Sequence, residues 1–139
     1  MSVIVSVTVN DGVVLAADSA LTILKRTEKS ATRVYYNTHK VFKLSDNPPT
    51  GMITCGCGII GATSIADIVK GIRSKLDISH NTVESIAEFF KSNLSKLYSS
   101  AFSDWPEAEK LTCIVAGCDS SEIKKYGIEI EKDNCIFKQ

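Results

Sequence analysis

The second residue of the chain carries the most useful combination of chemical groups. Ser2 directly follows Met1, and removal of Met1 would leave a hydroxyl and a free α-amine on one residue. An α-amine has a pKa of about 7.7–8.0 and therefore serves as a base for a neighbouring hydroxyl near neutral pH. Ser2 is thus a candidate nucleophile, although a protein of any function can begin with Met and Ser.

The cysteines do not form a metal-binding pattern. The chain has five, with no Cys-x-x-Cys pair among them: Cys55, Cys57, Cys113, Cys118 and Cys135. A zinc site needs closely spaced thiolates together with further ligands. We therefore expect reduced thiols that pack as small apolar side chains, with neither a metal nor another cofactor.

The segment Gly56-Cys57-Gly58 precedes a predicted helix and superficially resembles a phosphate-binding loop. Such a loop also needs a following Lys-Ser/Thr pair or a third glycine at the correct spacing, and the sequence has neither. The segment therefore does not favour nucleotide binding.

The composition is that of a soluble globular protein. Of the 139 residues 44% are hydrophobic, and 16 basic and 16 acidic residues give a net charge of zero. A neutral chain offers no electrostatic basis for binding nucleic acid or an acidic membrane. No apolar run approaches the roughly 20 residues of a membrane-spanning helix, and the N-terminus lacks the basic region of a signal peptide. We therefore expect a single cytoplasmic domain over residues 1–139.

The positions around Ser2 belong to a predicted hairpin. Valine occupies every second position from Val3 to Val9, which indicates a strand with one apolar face. Asn10-Asp11-Gly12 is a tight-turn signal, and a second apolar strand follows over residues 13–17 and ends at Asp18.

The remaining apolar patterns predict three more strands, two helices and three late strands, in that order. The strands lie at about residues 32–36, 41–44, 52–57, 111–117, 123–131 and 134–137. Helical spacing predicts helices over about residues 62–77 and 82–98, the second with Leu94 and Leu97 on its apolar face. Strands grouped around a helical pair favour an α+β fold with antiparallel sheets.

The segment from Ser2 to Asp18, with its Val-Asn-Asp-Gly-Val-Val-Leu-Ala-Ala-Asp run, resembles the opening of proteasome β subunits and the related bacterial HslV peptidases. Members of that family begin with a threonine that leads a hairpin with an Asp-Gly turn. Residues 39–44, 56–58 and 112–117 resemble later family segments in the same order. The resemblance implies an N-terminal-nucleophile sandwich with α/β/β/α layers of antiparallel sheets, in which the second helical layer is short or missing.

The resemblance also implies catalytic roles for four residues. Ser2 matches the nucleophile, and Lys40 matches the lysine that lies beside it. Asp18 matches the carboxylate that holds this lysine in place. Gly58 matches the residue whose amide donates to the oxyanion. These residues would hydrolyse peptide bonds through an acyl-enzyme on Ser2 after Met1 has been removed.

Substrate and partners are implied in the same way. Thr22 matches a threonine that aligns the substrate backbone, and Leu21 and Cys57 match positions that line the first specificity pocket. Peptides or unfolded proteins would be the substrates. The expected partners are copies of the same chain in a ring or other oligomer, and a regulatory ATPase.

Three departures from the family leave alternatives open, and one is Met1, which blocks the α-amine if it is retained. Serine replaces threonine, and the family's later segment, which supplies a serine and an aspartate that orient the N-terminus, has no counterpart before Gln139. The chain is either a peptidase, a non-catalytic structural or interaction subunit of a proteasome-like assembly, or a small-molecule amidohydrolase of the same superfamily. Without a second helical layer, the outer sheet face is expected to be an exposed apolar patch.

Overall fold

The computed structural model describes residues 2–24, 31–104, 109–131 and 133–139. Within these ranges the chain forms eleven strands and two helices. The strands that precede the helices are β1 (Ile4–Val9), β2 (Gly12–Ala17), β3 (Leu21–Leu24), β4 (Ala31–Tyr35), β5 (Val41–Asp46), β6 (Pro49–Gly56), β7 (Ile59–Ile60) and β8 (Thr63–Ser64). The helices are α1 (Ile65–Arg73) and α2 (Val83–Ala101), and the late strands are β9 (Leu111–Asp119), β10 (Glu122–Glu131) and β11 (Asn134–Lys138).

Strands β1 and β2 form the hairpin that the valine alternation predicts. Val9 pairs with Gly12 across a two-residue turn, and the antiparallel register continues to the far end of both strands. One residue beyond that end, the Asp18 N–H donates to the Val3 carbonyl at 3.0 Å. The register therefore brings Ser2, which precedes Val3, to the same end of the hairpin as Asp18.

The main sheet has five antiparallel strands in the order β11-β10-β9-β6-β5. Both helices belong to a core that forms on one face of this sheet, where alternate side chains of the central strands meet the helices. The largest fully buried side chains of that core are those of Tyr98, Phe90, Met52, Ile86, Leu94, Leu111, Ile128 and Ile130.

The β1–β2 hairpin packs on the other face of the main sheet, against β6 and its neighbours. Met52 belongs to the core under the helices, so the adjacent residues Gly51 and Ile53 face the hairpin. A Cβ built on Gly51 would lie 3.3 Å from Leu15 Cδ1, which shows how closely the hairpin approaches the sheet. This contact holds the hairpin close to β6.

This architecture corrects the expected α/β/β/α sandwich. Within the described ranges there is one helical layer and one large sheet, and the other strands bond only in pairs: β1 with β2, β3 with β4, and β7 with β8. Because β1 and β2 have no further strand partners there, the layer opposite the helices is a hairpin rather than a second sheet. The prediction of an N-terminal-nucleophile sandwich of two antiparallel sheets was therefore wrong.

Helix α2 buries Leu94 but not Leu97. Leu97 is 43% exposed, whereas Tyr98 is fully buried and donates from its hydroxyl to the Glu109 carbonyl at 3.0 Å. The expectation that Leu97 lies on the buried face was therefore wrong: in the last turns of the helix it is Tyr98 that packs into the core.

Helix α1 is shorter than the predicted range of residues 62–77. It begins after Ser64, whose Oγ accepts a hydrogen bond from the Asp67 N–H at 3.2 Å and so caps the first turn. The residues just before it form the short β7–β8 pair, which the apolar spacing did not predict.

The outer face of the β1–β2 hairpin is apolar and exposed. Val3, Val5, Val7 and Val9 have exposures of 46–56%, and Val14, which pairs with Val7, has 61%. Contiguous exposed apolar patches of this kind are uncommon on monomeric soluble proteins. This valine face corresponds to the exposed patch expected on an outer sheet face that lacks a helical layer.

Candidate active site

Ser2, Asp18 and Lys40 meet at the open end of the β1–β2 hairpin. Lys40 Nζ donates to Ser2 Oγ at 3.0 Å and to Asp18 Oδ1 at 3.1 Å, and it also donates to the Ala20 carbonyl. Lys40 is only 7% exposed. An ammonium group has three N–H donors, and here each one has an acceptor, which offsets the cost of burying the charge.

Two backbone hydrogen bonds hold the segment that carries Lys40. The Lys40 carbonyl accepts from the Thr54 N–H on β6 at 3.0 Å, which ties the residue to the main sheet. The Thr38 N–H donates to the Ser19 carbonyl at 2.9 Å, which ties the same segment to the end of the hairpin. Lys40 therefore bridges the sheet and the hairpin, and its side chain reaches both Ser2 and Asp18.

Asp18 is fixed by backbone donors on both carboxylate oxygens. Oδ1 accepts from the Val3 N–H at 2.9 Å, and Oδ2 accepts from the Ala20 N–H at 3.2 Å. The Val3 N–H contributes most to holding the pKa of Asp18 below its ordinary value, and the Lys40 ammonium acts in the same direction against an opposing effect of desolvation. Asp18 is thus a carboxylate at neutral pH that orients Lys40.

We expect Asp18 to make the stability of the fold depend on pH in the acid range. Its pKa is lower in the folded chain than the value of about 3.9 in the unfolded chain. Its contribution is therefore complete well above pH 3.9 and is lost as the pH falls through the folded pKa. In urea unfolding between pH 7 and pH 3, the free energy of unfolding should fall less steeply for Asp18→Asn than for the wild type.

The matched control for this measurement is Asp11→Asn, at an exposed position in the hairpin turn. It should keep the wild-type dependence of the free energy of unfolding on pH. Equal slopes for the wild type and Asp18→Asn would contradict the role given to the Asp18 carboxylate.

Ser2 opens on a cavity of about 330 Å³, whose other lining residues are Leu21, Thr22, Cys55, Gly56, Glu109, Lys110 and Thr112. A second cavity of about 390 Å³ contains Lys40 in its wall. Leu21, Cys55 and Gly56 line both cavities, so the two spaces adjoin. The Ser2–Lys40 pair therefore faces two adjoining spaces.

The structure places the predicted substrate-binding residues around these cavities. Thr22 lines the Ser2 cavity, Leu21 lies between the two cavities, and Cys57 lines only the second one. The Cys57 thiol is buried and donates to the Ile59 carbonyl at 3.0 Å. Burial raises the pKa of Cys57 to about 11, so this thiol is a neutral wall group rather than a nucleophile.

Gly58 does not lie beside Ser2. It lines the second cavity and not the Ser2 cavity. A Cβ on Gly58 would lie 2.3 Å from Leu21 Cδ1, so any side chain there would displace Leu21 from the wall between the cavities. Ser2, Asp18 and Lys40 are thus joined by hydrogen bonds, whereas Gly58 shares neither a hydrogen bond nor a cavity wall with Ser2.

Several residues beside Ser2 have no local signal in the sequence. Gly56 lines the Ser2 cavity at a φ of +87°, and a Cβ there would lie 1.9 Å from the Lys110 carbonyl, so only glycine fits. Cys55 and Thr112 become neighbours through the pairing of β6 with β9. These residues enter the site through strand register, and register is the only signal that could have identified them.

Comparison with protein-family models and with curated proteins gives no match. The functional assignment therefore depends on the geometry of the Ser2 site. Among the residues that the structure describes, no group of three His, Cys, Asp or Glu side chains is placed to hold a metal ion. In the same part of the chain, neither helix combines the length and apolar character needed to cross a membrane.

Proposed function

We propose that this protein is an N-terminal-nucleophile peptidase that cleaves peptide bonds through an acyl-enzyme on Ser2 after Met1 has been removed. The observation that carries the proposal is the 3.0 Å hydrogen bond from the buried Lys40 ammonium to Ser2 Oγ, with Asp18 on the same ammonium. The resemblance of the Ser2–Asp18 segment to proteasome β subunits supports peptides or unfolded proteins as the substrate class.

Lys40 acts in this proposal through its charge. Nζ lies 3.0 Å from Ser2 Oγ and 3.1 Å from Asp18 Oδ1. The positive charge of the lysine lowers the cost of forming an alkoxide at Ser2. The base is the α-amine of Ser2, which has an ordinary pKa of about 7.7–8.0 once Met1 is removed.

The reaction then has two stages. Ser2 Oγ forms a bond to the substrate carbonyl carbon, and its proton passes to the α-amine. The tetrahedral intermediate collapses by breaking the C–N bond, and the leaving amine takes the proton from the α-ammonium. Water attacks the resulting ester with the α-amine again as base, which releases the carboxylic acid and restores Ser2. We assign stabilisation of the oxyanion to the Gly58 N–H, which the resemblance implies and which would reach it from the adjoining cavity; such a donor is worth about 3 kcal/mol. The Cys57 N–H is not available for this role, because it donates to the Lys110 carbonyl at 3.0 Å.

A peptide epoxyketone is expected to label Ser2 in a chain that begins at Ser2, because the stable adduct needs both the hydroxyl and the α-amine. Such a chain is obtained by cleaving an N-terminal fusion directly before Ser2. An intact-mass spectrum then reports the state of the N-terminus and the adduct together. The same chain with Met1 retained should not react.

Two serine variants serve as controls for the labelling. Ser2→Ala should abolish the adduct, whereas Ser19→Ala, which changes an exposed serine next to Asp18, should react like the wild type. A chain that begins at Ser2, folds normally and does not react would overturn the proposed mechanism.

A non-catalytic subunit of a proteasome-like assembly is the second candidate. The observation that favours it is the exposed valine face of the β1–β2 hairpin, because a face of this kind is commonly covered by another chain. A chain that begins at Ser2 and assembles into an oligomer without reacting with the epoxyketone would favour this candidate over the peptidase.

A further inference from the structure

A groove with a basic lining lies between β5 and α1. It has a volume of about 290 Å³, and its lining residues are His39, Val41, Phe42, Lys43, Ala66, Val69, Lys70 and Arg73. We name this feature the cationic groove. It shares no lining residue with the Ser2 cavity, whereas His39 and Ala66 also line the second cavity.

An anchored arginine joins the two walls of the cationic groove. Strand β5 is an edge strand of the main sheet, and Arg73 Nη1 donates to the Lys43 carbonyl on this strand at 2.9 Å. A guanidinium has five N–H donors in a rigid fork, so one bond to the protein positions the group and leaves donors for a bidentate carboxylate. Arg73 is therefore held in the groove in advance of any ligand.

The charge of the cationic groove is unbalanced. The positive charge comes from Lys70 and Arg73, and no acidic residue lines the groove. Among the described residues, Lys43 pairs with Asp46, and neither Lys70 nor Arg73 has a carboxylate partner. Since the whole chain has a net charge of zero, this is a local excess of positive charge rather than a general property of the surface.

The same groove offers apolar surface beside its charges. Phe42 and Ala66 are partly buried and line the groove together with the buried Val69. A phosphate or a nucleic acid would use the charges and leave this apolar surface uncovered. A peptide with alternating carboxylate and aliphatic side chains is complementary to both parts of the lining.

We propose that the cationic groove is a docking site for an acidic peptide segment of a partner protein. Carboxylates of the segment bind Arg73 and Lys70, and aliphatic side chains between them cover Phe42. This inference does not depend on the proposed peptidase activity, because none of these three residues belongs to the Ser2 site.

The test uses a fluorescein-labelled hexapeptide of alternating Glu and Leu, titrated with the Ser2→Ala protein so that turnover cannot consume the probe. Fluorescence anisotropy should show saturable binding. Charge reversal by Lys70→Glu together with Arg73→Glu should weaken this binding at least about tenfold. The milder pair Lys70→Gln and Arg73→Gln should weaken it less, and circular dichroism confirms that each variant is folded.

Control variants separate the cationic groove from the rest of the surface. Lys96→Glu and Lys125→Glu reverse exposed charges on α2 and β10, outside the groove, and should leave the affinity within about twofold of the parent. Lys110→Glu tests the Ser2 cavity in the same way and should also have little effect. An equal loss of affinity in any of these three variants, or no saturable binding by the parent, would overturn the proposal. It would also be overturned if a single-stranded oligonucleotide bound as tightly as the peptide and with the same dependence on Lys70 and Arg73.

Discussion

Replacing Lys40 with Met is expected to lower kcat/KM for a fluorogenic peptide by about 10²–10⁴-fold in the chain that begins at Ser2. Methionine keeps most of the length and volume of lysine but removes the ammonium that donates to Ser2 Oγ at 3.0 Å and to Asp18 at 3.1 Å. Without this charge the alkoxide at Ser2 becomes more costly, and the Ser2 side chain loses the donor that orients it.

The control for this variant is Lys125→Met, which removes an exposed lysine on β10 and should leave kcat/KM unchanged. The free energy of unfolding is measured for both variants by urea titration, so that a loss of activity is not mistaken for a loss of folding. A folded Lys40→Met protein with wild-type turnover would contradict the role of Lys40, and the second candidate function would then gain support.

The Leu94→Ala variant should lower the free energy of unfolding by about 2–5 kcal/mol, because it opens a cavity in the core. Leu94 is fully buried between α2 and the main sheet, in the same core as Phe90 and Tyr98. A domain of this size is stable by only about 5–15 kcal/mol, so the loss is a large share of the total. Urea unfolding monitored by circular dichroism measures it.

The same helix supplies a matched control. Leu97 is one turn further along and 43% exposed, so Leu97→Ala removes the same atoms at little cost, about 0.5 kcal/mol or less. Comparable losses for the two variants would mean that α2 does not present the face to the sheet that the structure shows.

Elements that are predicted from short stretches of sequence lie close to where the sequence places them. The β1–β2 hairpin follows from a period of two and a tight turn, and β9, β10 and β11 lie close to their predicted ranges. Helix α1 is shorter than its apolar spacing indicated, because capping by Ser64 determines where it begins. Helix caps and two-residue strand pairs depend on one or two particular side chains. The spacing of apolar residues therefore does not predict them.

The candidate site was predictable in part. Ser2 and Asp18 lie near each other because the hairpin register brings them there, and that register follows from the turn and the alternation of valines. Lys40 could be proposed only through the resemblance to a family, because 38 residues separate it from Ser2. Gly56 and Thr112 belong to segments that resemble the family, but no pattern in the sequence assigned them a role in the site, since their place beside Ser2 depends on how β6 pairs with β9.

By itself, the sequence determined the hairpin, the helical pair and the reactive groups that Ser2 can offer. Turn residues, periodicity and side-chain chemistry are properties of short segments, so they can be read without the tertiary structure. Only the tertiary structure decided that the early strands bond in separate pairs while five others form one sheet. It also decided that the Lys40 ammonium reaches Ser2 Oγ, and that Lys70 and Arg73 face β5 across a groove. These arrangements join segments that are distant along the chain, and their geometry is set by strand pairing and packing rather than by any local pattern.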